Sequence, residues 1–315
     1  MNRTSNRWLW HAAFFAILAF LMLGLYQASQ SINYNWQWQR VLPFIIDTSP
    51  QEYRAQGDGT VQINADHSIT IQLDNSDVPQ RIPAYDHRNV QQGDLVFEGD
   101  ILATSEQWTI GPVTMGLWVT LKISVLSLFF AIILGLIAGL MRISHNPVTK
   151  NMAFLYVEVI RGTPLLVQIF IVYFFLGTIF DLERFTAGVV ALSIFTGAYI
   201  AEIIRSGIQS IPPGQMEAAR SLGMSYPKAM MYVILPQAFK RTLPPMAGQL
   251  ITLIKDSSLV SVISITDLTK AGREVISGSF ATFEVWFVVA ALYLLLTTSL
   301  SWAVQRIEKR LASSD

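Results

Sequence analysis

The sequence predicts an all-α integral membrane protein with about six transmembrane helices, one N-terminal and five forming a core, and a small β-rich insertion between them. Three observations carry this. Of 315 residues, 52% are hydrophobic and only 14% charged, whereas soluble domains carry about 25% charged residues. Apolar runs of the ~20 residues that a helix needs to cross a bilayer recur along the chain. Residues 31–110 interrupt them with polar, alternating sequence. The net charge is zero, so nothing marks nucleic acid as a partner. With no cysteine there is no disulfide, thiolate nucleophile or Cys-based metal site. His11, His67, His87 and His145 are scattered without ligand spacing, and no Gly-rich Walker loop is present. The chain is therefore expected to hold no cofactor or metal and to hydrolyse no ATP itself.

Residues 1–30 form a transmembrane anchor, with an apolar run from Trp8 to Tyr26 behind Arg3 and Arg7. A cleavable signal peptide is the competing reading. Its apolar run is shorter, however, and Gln27-Ala28-Ser29-Gln30 is a poor cleavage site. Tyr34, Trp36 and Trp38 then read as an interfacial aromatic belt. Within residues 31–110, Val61-Gln62-Ile63 and Ile69-Thr70-Ile71-Gln72-Leu73 alternate around Asn64-Ala65-Asp66-His67-Ser68, a hairpin signal. Gly93 to Asp100 adds another short strand. This insertion is either passive or a docking platform.

Residues 111–315 form the core, with spans at about 113–141, 164–180, 185–205, 243–265 and 284–304. Gly135 and Gly139 make a small-xxx-small face that admits a close helix neighbour. Lys122, near a span end, snorkels to the interface. Arg3 and Arg7, Arg142 and Lys150, Arg205 through Arg241, and Arg306, Lys309 and Arg310 fall on one side if six spans alternate. The positive-inside rule makes that side cytoplasmic. Both termini then face the cytoplasm and the insertion faces out, although Arg184, Lys270 and Arg273 run against the bias.

Residues 211–236 form a polar stretch between spans. Pro212 and Pro213 end the preceding helix. Gln215 to Leu222 read as a short helix closed by Gly223, a residue free to adopt the left-handed conformation. A second helix follows, with Ser225 as N-cap and Pro236 as its end. Upstream, Thr163 caps a helix with Pro164 at its first position, and Glu158 is spaced to pair with Arg161. That run either places the span or gates it. Lys255 and Asp256 fall inside an apolar run from Leu243 to Ile265, where a charge costs at least ~2.5 kcal/mol. They pair with each other or line a cavity. Asp256-Ser257-Ser258 favours a helix break, and Glu202 is a second carboxylate inside a span.

Glu217-Ala218-Ala219, three residues, Gly223, nine residues, then Val233-x-Leu235-Pro236 resembles the EAA loop of ABC importer permeases. The family usually has isoleucine where this chain has Val233. Glu158-Val159-Ile160-Arg161-Gly162-Thr163-Pro164-Leu165-Leu166, Gly197-Ala198-Tyr199-Ile200-Ala201-Glu202 and Lys255-Asp256-Ser257-Ser258-Leu259 are similar to the polar amino acid branch. The resemblance covers roughly residues 111 to 312, and the anchor is similar to an N-terminal span of some members.

The resemblance implies an inner-membrane permease that is not itself an enzyme, working by alternating access. Glu217, Ala218, Ala219, Gly223, Leu235 and Pro236 would couple it to a separate ATPase subunit that holds ATP and Mg. A second permease chain, identical or homologous, would complete the pathway, and an extracytoplasmic binding protein would deliver a polar amino acid, with glutamine or glutamate preferred. Lys255, Asp256, Ser257 and Glu202 are the candidate substrate contacts. The rival reading is an ion-coupled secondary transporter using Lys255, Asp256 and Glu202 as a relay, which leaves the stretch around Glu217 without a role.

Overall fold

The computed structural model describes residues 5–31, 34–47, 50–64, 66–74, 78–82, 84–106 and 108–312. Arg3 and Ala65 lie outside these, as do the side chains of Arg7, Lys309 and Arg310. The first helix, α1 (Ser5–Ser31), stands apart and has no buried residue among those described. Its uniformly apolar surface suits lipid on every side. Beyond it, Trp36 donates through Nε1 to Ser29 Oγ at 3.0 Å and stacks on Trp38. Tyr34 packs edge-on against Phe283 at 4.7 Å, so the aromatic belt closes over the start of the last long helix.

A short helix α2 (Leu42–Ile45) leads into β1 (Ile46–Asp47), which pairs antiparallel with β9 (Thr109–Ile110). This two-stranded neck carries the chain into and out of the β unit. Beyond it lie β2 (Gln51–Arg54), β3 (Gly59–Ile63), β4 (Ile69–Leu73), β5 (Gln80–Ile82), β6 (His87–Arg88), β7 (Leu95–Val96) and β8 (Ile101–Ser105). They form two antiparallel sheets, ordered β5-β4-β3-β7 and β2-β8-β6. The hairpin has the register its alternation dictates, with Val61 opposite Ile71. Val61, Ile69, Ile71, Ile82 and Leu102 fill the interior.

Gly93 to Asp100 holds the expected short strand as β7, paired with β3. Two matching turns flank this two-residue strand. Asp94 and Asp100 return backbone N–H bonds to the carbonyls of Gln91 and Phe97. Their carboxylates accept from the N–H groups of those same residues at 2.6 and 2.9 Å. Gly93 and Gly99 both have positive φ, at 85° and 94°, as the third position of such turns requires. Glycine-aspartate at a six-residue interval was the signal for this repeat.

The core begins with α3 (Pro112–Arg142), followed by α4 (Pro147–Arg161). Next come α5 (Leu165–Phe170), a π-helical stretch and α6 (Gly177–Phe180). The long α7 (Arg184–Gln209) leads to the short α8 (Pro213–Ser221) and α9 (Tyr226–Ala229). After α10 (Leu235–Asp256), α11 (Leu268–Ser279) and α12 (Thr282–Ala312) complete the chain. Five described helices are long and apolar enough to cross a membrane, and the bent pair Pro147–Arg161 and Leu165–Phe180 makes six if counted as one broken span. The main contact is α3 against α7. A Cβ on Gly135 would lie 2.5 Å from Ile200 Cγ2, and one on Gly139 would lie 2.9 Å from Ala201 O. These two glycines set the helix spacing.

Two sequence expectations change here. Thr163 does not cap α5, because its hydroxyl donates back to Val159 O at 2.9 Å. Buried Gln168 acts instead on the end of α4. Its amide donates to Ile160 O (2.7 Å), Thr163 O (3.2 Å) and Thr163 Oγ1 (2.8 Å). It thereby satisfies carbonyls freed at the 106° bend between α4 and α5. Pro236 does not end a helix either. The ladder widens to π geometry over Met230–Ile234, which makes room for a ring that lacks an N–H, and α10 continues.

Candidate functional site

The stretch around Glu217 folds as a helix, an elbow and a helix. Gly223 has φ +84°. Across it, Met224 N–H bonds to Ala219 O at 3.2 Å and Gly223 N–H to Arg220 O at 3.0 Å. That pair is a Schellman closure, which consumes the orphan carbonyls at the end of α8. Arg220 Nη1 adds a bond to Met224 O at 3.0 Å. Ser225 occupies the N-cap position of α9, but its side chain makes no capping bond.

The two alanines divide. Ala219 is buried where α8 packs on α9 and the π stretch, while Glu217 and Ala218 face outward. Leu222, Met231 and Tyr232 are also exposed, Leu222 at 85%.

The elbow joins directly to the membrane core. Ile211 and Ile234 are buried with Ile200, Ile204 and Ile208. Arg241 Nη1 donates to Ser210 O at 2.6 Å, and Gln237 reaches Gln215 at 3.4 Å. Leu235 and Pro236 open α10, which runs to Asp256 with Pro244 and Pro245 inside it. The whole rod Tyr226–Ile263 has 38 residues, on the order of 57 Å at 1.5 Å per residue, against ~30 Å of hydrocarbon. It is therefore longer than the hydrocarbon layer is thick.

At the far end of α10, Lys255 is exposed and Asp256 half-buried. The helix does not open there. It tightens to 3₁₀ geometry over Ser257–Ile263 and reverses at Ser264, whose φ is +65°. Ser257 is fully buried, and its hydroxyl donates to Ile254 O at 2.8 Å. That bond keeps the turn closed, so free backbone is not presented at Asp256. The exposed residues of α10 are Pro236, Phe239, Lys240, Arg241, Pro244, Pro245, Gly248, Thr252 and Lys255. On α3 the exposed residues include Trp118, Val125, Phe129, Leu136 and Leu140, with Lys122 on the same stripe.

Glu202 is not near Asp256 in role. Arg205 Nε holds both its oxygens at 3.0 Å, and Arg142 reaches it at 3.4 Å. The i,i+3 spacing of Glu202 and Arg205 was legible in the sequence, but the arrival of Arg142 from α3 was not. Glu158 and Arg161 do not pair, and the Arg161 guanidinium lies 5.3 Å over the Tyr199 ring. Lys122 sits 5.1 Å over Phe185. Glu284, which the sequence reading passed over, is fully buried. It accepts from Tyr34 Oη at 2.6 Å and from Gln37 N–H. Among the described residues no cluster of three acidic or histidine side chains is placed to hold a metal.

The profile of the family described as "Binding-protein-dependent transport system inner membrane component" matches residues 131–313. The glutamine transport system permease protein GlnP of Escherichia coli (strain K12) is 44% identical over 62% of this chain and 91% of its own. The probable glutamine ABC transporter permease protein GlnM of Bacillus subtilis (strain 168) is 44% identical over 63% and 93%. A crystal structure of an amino acid ABC transporter with histidines superposes with a TM-score of 0.60 at 43% identity, covering 63% of this chain and 94% of that one.

Proposed function

Because this chain belongs to the family of binding-protein-dependent transport system inner membrane components, we propose that it is the translocation subunit of an ATP-driven importer for polar amino acids, glutamine first among them. The observation that carries this is one continuous rod: an elbow with an exposed apolar tip at Leu222 passes through α10 into Lys255 and Asp256. The elbow docks on a separate ATPase subunit, and closure of the ATPase dimer is transmitted along α10 as rigid-body movement. Glu217 and Ala218 face that subunit, while Ala219 and Gly223 shape the elbow that presents them. Leu235 and Pro236 begin the lever.

The exposed side of α10 faces a second permease chain, with the pathway between the two. Asp256 supplies the acceptor for the ammonium of the amino acid, and Lys255 the donor for its carboxylate. Ser257 enters only if the closed turn at Ile254 opens. Glu202, already held by Arg142 and Arg205, is the weakest of the four candidates. The elbow and both termini lie in the cytoplasm, and the β unit lies outside, where a binding protein delivers substrate.

Glutamine uptake into proteoliposomes containing this chain, its ATPase and its binding protein tests the reading. Uptake should require enclosed ATP. Uptake without ATP that follows a proton or Na⁺ gradient overturns it.

A further inference from the structure

We propose that the cavity between the α3–α4 turn and the elbow is a binding site for a phosphate-bearing anion, occupied by the headgroup of an anionic phospholipid. The cavity measures about 480 Å³, within the range that holds a small ligand. Arg142, Ser144, His145 and Lys150 line one side, and Pro212, Met216 and Tyr226 of the elbow line the other. No carboxylate is among its lining residues.

The charge balance nearby is positive. Glu202 is the acidic group beside it, and Arg142 shares that carboxylate with Arg205. Arg161 also stands close enough to act on Glu202. One carboxylate among three guanidiniums leaves cationic excess before Lys150 is counted. Arg142 Nε is buried without a hydrogen-bond partner among the described residues. The Arg142 guanidinium packs 4.9 Å over the Phe154 ring, and a phosphate oxygen is the acceptor a guanidinium takes best.

Depth identifies the source of the phosphate. Arg142 is the last residue of one apolar span and Gln209 the last of another, and both line the cavity. The site therefore lies at the paired ends of two membrane-spanning helices, the side of the bilayer on which headgroups are met. Ile208, Ile211 and Ile234 make its floor apolar, which suits the glycerol and first methylenes of a lipid. The His145 ring meets Tyr226 edge-on at 5.5 Å, so a headgroup held here also touches the second helix of the elbow. Binding requires nothing of the transport reading. Only the consequence, that the lipid braces the coupling elbow, rests on it.

The test uses the full chain in detergent, with lipid adducts counted by native mass spectrometry. Phosphatidylglycerol should be retained in preference to phosphatidylcholine. Lys150→Gln with His145→Gln should lower that retention about fivefold while the melting temperature stays unchanged. Arg142 is left alone because it also holds Glu202. In a parallel arm, inorganic phosphate is titrated while acetylation of Lys150 is followed. Protection without lipid preference assigns the same phosphate site to a free anion. Equal retention of both lipids without protection, or double-variant retention equal to the parent, overturns the site. Loss of retained lipid on adding the ATPase subunit gives the cavity to that subunit and overturns the lipid assignment.

Discussion

Leu235 and Asp256 are the first and last residues of one α-helix. Its 22 residues span about 33 Å at 1.5 Å per residue, the thickness of the hydrocarbon layer. The elbow and the Lys255-Asp256 pair thus lie toward opposite ends of one helix, which carries Pro244 and Pro245 within it.

Gly223→Val places a β-branched residue at φ +84°, a conformation costing about 1–2 kcal/mol for residues with a Cβ. Elbow geometry should be lost while the spans remain inserted. Membrane levels should match the parent, and ATP-dependent uptake should fall about tenfold or more. Gly223→Asn, which tolerates the left-handed region, should keep most of it. Equal uptake by the valine and asparagine variants removes the elbow from the mechanism.

Asp256→Asn keeps the shape and removes the charge. With Asp256 as the ammonium acceptor, substrate-stimulated uptake should drop by a factor of about 10, the loss of one charged hydrogen bond at ~1.5–3 kcal/mol. Basal ATP hydrolysis should persist. Unchanged uptake and substrate affinity would assign the carboxylate a structural role.

Much of this was readable from the chain, for physical reasons. The spans near 113–141, 185–205 and 284–304 follow from length and apolarity, whereas that expected from 243 begins at Leu235 or earlier and that at 164–180 counts only with α4; the elbow follows from two prolines, a glycine and their spacing. The β3–β4 hairpin follows from its alternation. What escaped depends on partners distant in sequence or on side chains that substitute for backbone. Gln168 staples the bend after α4, and Thr163 leaves unfilled the capping role its position suggested. Pro236 is carried by a π-helical widening, invisible in a pattern that treats proline as a stop. Arg142 reaches Glu202 from 60 residues away, and Glu284 meets Tyr34 across 250. No local periodicity encodes either.

Gly135→Val tests the α3–α7 contact. Its Cβ would lie 2.5 Å from Ile200 Cγ2, and overpacking of this kind costs about 1–3 kcal/mol. The variant should aggregate at lower temperature than the parent in fluorescence-detected size-exclusion melts. Gly24→Val, on the open surface of α1, should not.

Glu284→Ala strips the buried acceptor from Tyr34 and Gln37, and each unmet group costs about 1–3 kcal/mol. The segment from Tyr34 to Asp47, which joins α1 to the neck of the β unit, should become sensitive to limited proteolysis while the core stays resistant. Glu284→Gln keeps one acceptor oxygen and should be cut more slowly. Identical cleavage of the parent and the alanine variant contradicts the anchoring role.

The central claim is that the elbow converts ATP hydrolysis into movement of the pathway. Its most direct test is ATP hydrolysis by proteoliposomes carrying this chain and its ATPase, with and without glutamine-loaded binding protein. The account predicts that the loaded protein stimulates hydrolysis in the parent and that Gly223→Val abolishes the stimulation. Hydrolysis indifferent to the loaded protein in the parent, or stimulated equally in the valine variant, would contradict it.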